Sequence, residues 1–225
     1  MGYINGPNIV QDNLIVCWDP QNTQSKNSNT VVNNTVSPQF QGNAYSSFAD
    51  LSPKPYPNFL SFNGLNSQPT SDALISGTNF PATSAFSLNF WIQHTGTQGG
   101  SYQRIFSSFG NRFEVAEDTS DKIRIYEGSW YTSTVTINSV GWTNIVVINT
   151  VDPLIRIYQN GALEQTISAG RSMTNISWRL GGNQNTPPNE CWKGNLGYFS
   201  AYTKELSNAE VIQNYNALKS RFVTS

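Results

Sequence analysis

Charge is scarce in this chain. Asp, Glu, Lys and Arg make up 12% of its 225 residues, about half the usual share of roughly 25%. No run of Lys or Arg supplies the positive stripe that a phosphate backbone requires, so nucleic acid is not an expected partner. The formal net charge is -1 and the only histidine is His94. With no Gly-x-Ser-x-Gly turn around a serine, nucleophilic catalysis lacks its machinery. Cys-x-x-Cys and His-Glu-x-x-His spacings are missing too, which argues against a transition metal. The opening Met1-Gly2-Tyr3-Ile4-Asn5-Gly6-Pro7 has neither a basic leader nor an apolar core of export-signal length, and no segment has the length of a membrane span. The expectation is a soluble product made in a cytoplasm, with no membrane partner. Two cysteines, Cys17 and Cys191, fall in the first and last strand regions. Reduced, buried thiols are expected, with one disulfide between them as the alternative.

Amides, hydroxyls and aromatics fill the space that charge leaves. Phe86-Ser87-Leu88-Asn89-Phe90-Trp91-Ile92-Gln93-His94 alternates with period two, which predicts a strand with Phe86, Leu88, Phe90 and Ile92 toward a core and a largely polar opposite face. Asn13 to Asp19 predicts an opening strand with Leu14, Val16 and Trp18 on one face. Three short strands follow at Arg104 to Phe109, Arg112 to Val115 and Lys122 to Tyr126, at meander spacing. Trp142 to Ile148 is apolar on both faces, as a central strand should be, and Asn160-Gly161 supplies the positive φ angles of a tight hairpin. Near the end, Ser207 stands three residues before Glu210, a capping-box pattern, and Val211, Tyr215, Leu218 and Phe222 recur at helical spacing. The predicted organisation is an N-terminal arm over 1–12 and one β-sandwich domain over 13–225. That domain includes a long polar loop region over 19–58 and a C-terminal helix over 207–222. A loop of that length is a candidate interaction surface.

Phe86 to Ile92, Gly141 to Val147, Ile157 to Gly161, Leu180-Gly181-Gly182-Asn183 and the closing strand with its helix together resemble the laminin-G-like, concanavalin A-like lectin/glucanase jelly roll over roughly residues 60–222. The resemblance implies an all-β sandwich of two antiparallel sheets. Gly6 to Val10, Leu14 to Asp19 and Asn214 to Leu218 are further similar to free-standing jelly-roll proteins of bacteriophage particles. That implies a non-enzymatic virion structural or decoration protein on capsid or tail, with other virion proteins as partners and several copies about a symmetry axis. The Met1 to Asn13 segment is then expected to order by adding to a neighbour's sheet edge. A carbohydrate-binding module recognising a host-surface glycan is the alternative from another class.

Glycosidases on this fold carry acidic residues at alternating strand positions. Here Glu114 and Asp118 share a face with Ala116 between them, so no catalytic residue is assigned. Glu114 reads as a strand-edge residue, and Glu117, Asp118 and Asp121 as hairpin solubilisers. Phe62-Asn63-Gly64 departs from the Phe-Asp-Gly turn of many relatives, which leaves an inherited calcium site open. Asp118 to Asp121 offers oxygens to calcium but reads more simply as a solvated turn. No metal and no cofactor is expected. For a sugar, aromatic faces beside amides are the relevant chemistry. Trp130 and Tyr131, placed in a turn, and Asn183 and Trp192, flanking the Pro187-Pro188 loop, are the candidate contacts.

Overall fold

The computed structural model describes residues 8–19, 31–32, 42–44, 59–64, 75–80, 82–96, 102–109, 113–137, 141–170, 172, 176–183 and 190–223. Two antiparallel sheets and one helix make up the body. The strands are β1 (Leu14–Trp18), β2 (Val31–Val32), β3 (Gly42–Ala44), β4 (Leu60–Asn63), β5 (Ile75–Phe80), β6 (Phe86–His94), β7 (Tyr102–Ser108), β8 (Glu114–Asp118), β9 (Lys122–Tyr126), β10 (Trp130–Thr136), β11 (Thr143–Asn149), β12 (Ile155–Gln159), β13 (Ala162–Ile167), β14 (Ile176–Leu180) and β15 (Lys193–Tyr202), followed by α1 (Asn208–Phe222). The first sheet runs β1-β15-β6-β11-β12-β13, with β4 also on β15, and the second runs β10-β9-β8-β7-β14-β5-β3-β2. This is the expected all-β jelly-roll sandwich.

The period-two pattern of β6 explains the layering. Phe86, Leu88, Phe90 and Ile92 are buried between the sheets, in one cluster with Ile145 and Val147 of β11, Phe199 of β15, and Phe106, Val115, Ile125 and Trp178 of the second sheet. Phe199 touches Phe106 and Trp178 across the gap, at 6.2 and 5.7 Å between ring centres. Each such side chain removed from water contributes about 1.5–3 kcal/mol. Asn160 and Gly161, at φ 51° and 84°, turn β12 into β13, as their sequence predicts.

The other face of β6 is not a polar outer face. Ser87, Asn89 and Trp91 are as buried as the core residues, because α1 lies over them. Phe222 and Tyr215 stack on Trp91 at 4.6 and 5.6 Å, and Val211 and Leu218 complete the contact. Ser207 and Glu210 form the predicted capping box at the helix start. Gly197 sits at a register shift between Leu196 and Tyr198, and its missing side chain leaves room for the Phe222 ring.

Three expectations change on contact with the structure. A register shift between Leu14 and Val16 puts Val16 and Trp18 in the inter-sheet core but turns Leu14 toward the helix, with Cys17. Within the 19–58 tract, β2 and β3 pair with each other and β3 pairs with β5, so this part extends the second sheet; residues 20–30, 33–41 and 45–58 lie outside the described residues. Residues 8–13 pack on their own chain. The Val10 amide donates to Asn214 Oδ1 at 2.8 Å, the Val10 carbonyl accepts from Tyr202 at 3.1 Å, and Gln213 donates to the Asn8 carbonyl. Residues 1–7 of the predicted arm lie outside the described residues. Cys17 and Cys191 are both buried thiols with no disulfide between them, the expected state.

Candidate functional site on the outer face of the second sheet

α1 covers the outer face of the first sheet around Trp91 and Tyr198, and no helix among the described residues covers the outer face of the second sheet. The β7–β10 meander builds it in cross-strand rows. Arg104 pairs with Ala116 and Ala116 with Arg124, while Glu114 pairs with Tyr126 and Tyr126 with Trp130. Val115 points into the core, so Glu114 and Ala116 point out. Ala116 has only a methyl group to offer, and longer side chains close over it, leaving it fully buried.

Those side chains form one aromatic and cationic unit. Tyr102 and Trp130 stack with ring centres 4.6 Å apart and planes 20° apart, and Tyr126 leans on Trp130 at 5.1 Å. The Arg104 guanidinium carbon lies 4.8 Å from the Trp130 ring centre, and that of Arg124 lies 4.5 Å from the Tyr102 centre and 5.3 Å from the Trp130 centre. Arg104 Nε donates to Glu114 Oε2 at 2.7 Å, and its Nη2 is 3.0 Å from Glu190 Oε2. Its third nitrogen, Nη1, is buried without a hydrogen-bond partner, as is Arg124 Nε. Aromatic rings beside the part-exposed Arg124 guanidinium are suited to a ligand with both apolar C–H surface and oxygen acceptors.

The four sequence-predicted contacts separate. Trp130 begins strand β10 rather than sitting in a turn, and it is the centre of the unit just described. Asn183 is buried behind it: its side chain donates to Glu190 Oε2 at 3.1 Å and its carbonyl accepts from Arg179, so it holds the carboxylate that holds Arg104. Tyr131, next along the strand, necessarily points to the opposite face. There it packs on the core edge and lines an open cleft of about 500 Å3 with Glu127, Asp152 and Leu154, and the Glu127 carboxylate raises its phenol pKa. Trp192 is 1% exposed, with Phe62 on it at 5.4 Å and the Gly194 backbone against its ring. No face of Trp192 is open to a sugar. The Pro187-Pro188 loop lies outside the described residues. Tyr102, Arg104, Arg124 and Glu190 were not among the predicted contacts. The alternation in Tyr102-x-Arg104 and Arg124-x-Tyr126 was the available signal.

Glu117 is not a hairpin solubiliser, and Glu114 is not an open strand-edge residue. Glu114 and Glu117 are both fully buried, on opposite faces of their strand. Glu114 is held by Arg104, while Glu117 points between the sheets, accepts from Trp192 Nε1 at 2.8 Å and meets His94 Nδ1. Burial, with smaller contributions from Asp121 and Asp118, pushes the Glu117 carboxyl up to about 8, against the pull of the Trp192 hydrogen bond. His94 Nε2 is 3.7 Å from Asp121 Oδ1. Ligand atoms of His94, Glu117 and Asp121 lie within 4.8 Å of one another, but the imidazole turns a different nitrogen to each carboxylate. The three therefore make a chain of polar contacts rather than a shared coordination point. Asp118 Oδ1 accepts from the amides of Ser120 and Lys122 at 2.8 and 3.1 Å, capping its own turn. Burial raises the Cys191 thiol to about 11, which keeps it unreactive.

Residues 66–212 match the laminin-G-type family model described as the concanavalin A-like lectin/glucanases superfamily. The chain belongs to this superfamily. No curated protein matches it in sequence. Among solved structures, it is similar to domain 4 of an extracellular GH43 arabinanase from Geobacillus stearothermophilus, in complex with arabinotriose, at TM-score 0.64 and 14% identity over 90% of this chain and 98% of that one. It is also similar to the binding domain of botulinum neurotoxin DC in complex with SialylT, at TM-score 0.65 and 16% identity over 93% of this chain and 52% of that one. A heptameric SAP-like pentraxin from Limulus polyphemus gives TM-score 0.54 and 16% identity, over 68% of this chain and 78% of that one. At these identities the likeness is one of fold.

Proposed function

We propose that this superfamily member is a carbohydrate-binding module that holds its ligand on the outer face of the second sheet without turning it over. The observation that carries the reading is the Tyr102–Trp130 stack with two arginines beside it. Both residues are half-buried, so part of each is open to solvent. A pyranose laid there covers its C–H surface with the rings and offers hydroxyls to the guanidinium donors. Two structural neighbours, solved with SialylT and with arabinotriose, support the choice of ligand class. Binding without hydrolysis is supported by the engagement of Glu114 with Arg104 and of Asp118 with its own turn, and by Ala116 filling the position between them. Glycosidic cleavage needs two carboxyl groups free to flank one bond.

A glycan array followed by calorimetry tests this. Trp130→Ala, with folding checked by circular dichroism, is expected to weaken binding at least about tenfold, since aromatic contacts dominate such sites. Equal binding by a folded Trp130→Ala protein overturns the proposal. The finer reading, a decoration protein of a bacteriophage particle, is supported by the similarity of Gly6 to Val10, Leu14 to Asp19 and Asn214 to Leu218 to phage jelly rolls. The low charge content also leaves little self-repulsion to oppose assembly. Mass spectrometry of purified particles tests it, and absence of the protein from them refutes it.

A further inference from the structure

Arg104 and Arg124 differ in one respect that bears on ligand charge. Arg104 faces two carboxylates, those of Glu114 and Glu190. Arg124 has no carboxylate partner among the described residues; its contacts are the faces of Tyr102 and Trp130, and its cross-strand neighbours are Ala116 and Thr132. Nearby acids are engaged elsewhere: Asp118 caps its turn and Glu127 meets Tyr131. The two aromatic faces offset part of the desolvation of this cation, but no carboxylate among the described residues neutralises its charge.

From this we propose that the site selects sugars bearing a carboxylate, such as uronic or sialic acids, with the acid group taken by the part-exposed guanidinium of Arg124 while the sugar ring rests on Tyr102 and Trp130. The inference rests on the carbohydrate-binding reading and sharpens it. A planar carboxylate accepts two parallel N–H bonds from a guanidinium, a geometry that neutral hydroxyls do not reproduce. Because the stack shields the pair from water, the interaction keeps more of its strength than one between exposed charges.

The test is calorimetry on the full chain with matched probes: trigalacturonate against galactotriose, sialyllactose against lactose, and galactose 6-sulfate as the alternative anion. The carboxylated probe of at least one pair is expected to bind about tenfold or more tightly than its neutral counterpart, the gain of one charge-assisted bidentate contact. That ratio is expected to fall in 0.5 M salt, where the Debye length shrinks to about 4 Å, and to collapse in Arg124→Gln. Arg124→Lys, which keeps charge and loses the fork, is expected to recover only part of it. Equal affinity for acidic and neutral probes overturns the charge selection and leaves carbohydrate binding standing. Preference for the sulfate over both carboxylates overturns the carboxylate assignment. An unchanged ratio in folded Arg124→Gln removes Arg124 from the site. No binding of any probe overturns the carbohydrate reading, and this inference with it.

Discussion

Glu117 is the side chain whose replacement most directly interrogates the inter-sheet interior. Its carboxyl lies between the sheets, with Trp192 Nε1 on one oxygen and His94 on the other. In the unfolded chain it titrates near 4.5, and in the folded protein near 8. Between those values the folded state holds the proton and the unfolded state does not. The stability that the protonated acid provides is therefore complete below about pH 4.5, drains away as pH rises toward 8, and is gone above it. A rise from 4.5 to about 8 sets a ceiling of about 5 kcal/mol, at about 1.4 kcal/mol per unit. Polar neighbours and an effective dielectric near 20 reduce the share seen on unfolding to on the order of 2 kcal/mol. Glu117→Gln keeps an acceptor for Trp192 and turns an amide N–H toward His94, imitating the protonated acid at every pH. Urea denaturation followed by tryptophan fluorescence at pH 5, 6, 7 and 8 is the assay. The wild type is expected to lose on the order of 2 kcal/mol across that range, and the glutamine variant less than half as much, so that the variant is the more stable protein at pH 8. Parallel slopes for the two proteins refute the reasoning, because the carboxyl would then carry no proton that folding recruits.

Removing the helix cap with Ser207→Ala deprives the Glu210 amide of its 3.3 Å partner and should cost about 1 kcal/mol, seen as a fall in Tm of about 2–4 °C. Gly197→Ala places a methyl group 2.3 Å from Phe222 Cε1 and 2.9 Å from Trp142 Cζ3. Overpacking of about 1–3 kcal/mol follows, with a change in tryptophan emission because Phe222 stacks on Trp91 and packs at a tilt against Trp142. Asn214→Ala strips the buried Val10 amide of its acceptor and Tyr202 of a donor, at about 1–3 kcal/mol. Faster proteolysis between residues 8 and 13 is the expected local readout.

Local chemistry made part of this fold readable. The β6 alternation, the Asn160-Gly161 turn and the Ser207–Glu210 capping box each depend on a few consecutive residues, and each is found where its pattern predicts. What lay beyond reach depends on partners distant in the chain. Nothing in Ser87-x-Asn89-x-Trp91 says that a helix more than a hundred residues later covers that face. One shifted residue between Leu14 and Val16 is enough to send Leu14 to the wrong side of the sheet. The site shows the same limit. Trp130 was found because aromatics stand out, but Tyr131 was grouped with it although adjacent strand residues face opposite ways. Trp192 has the same composition as a sugar contact and is a core residue, because a glycine two positions on gives its ring a floor. Glu117 looked like a surface acid until strand parity turned it inward toward His94 and Trp192. Arg124 became informative only once its cross-strand neighbours, Ala116 and Thr132, were known to carry no charge.

Asn8 is tied to Gln213, and Phe222 lies against Trp91, so both described ends of the chain emerge on the helix side, with the arginine and aromatic surface turned the opposite way. A tag, bead or sensor chip joined at residue 8 or residue 223 would thus leave that surface facing outward into solution. Clustering many copies through their ends would yield an array whose contact faces all look away from the support, the orientation in which weak single-site affinities multiply.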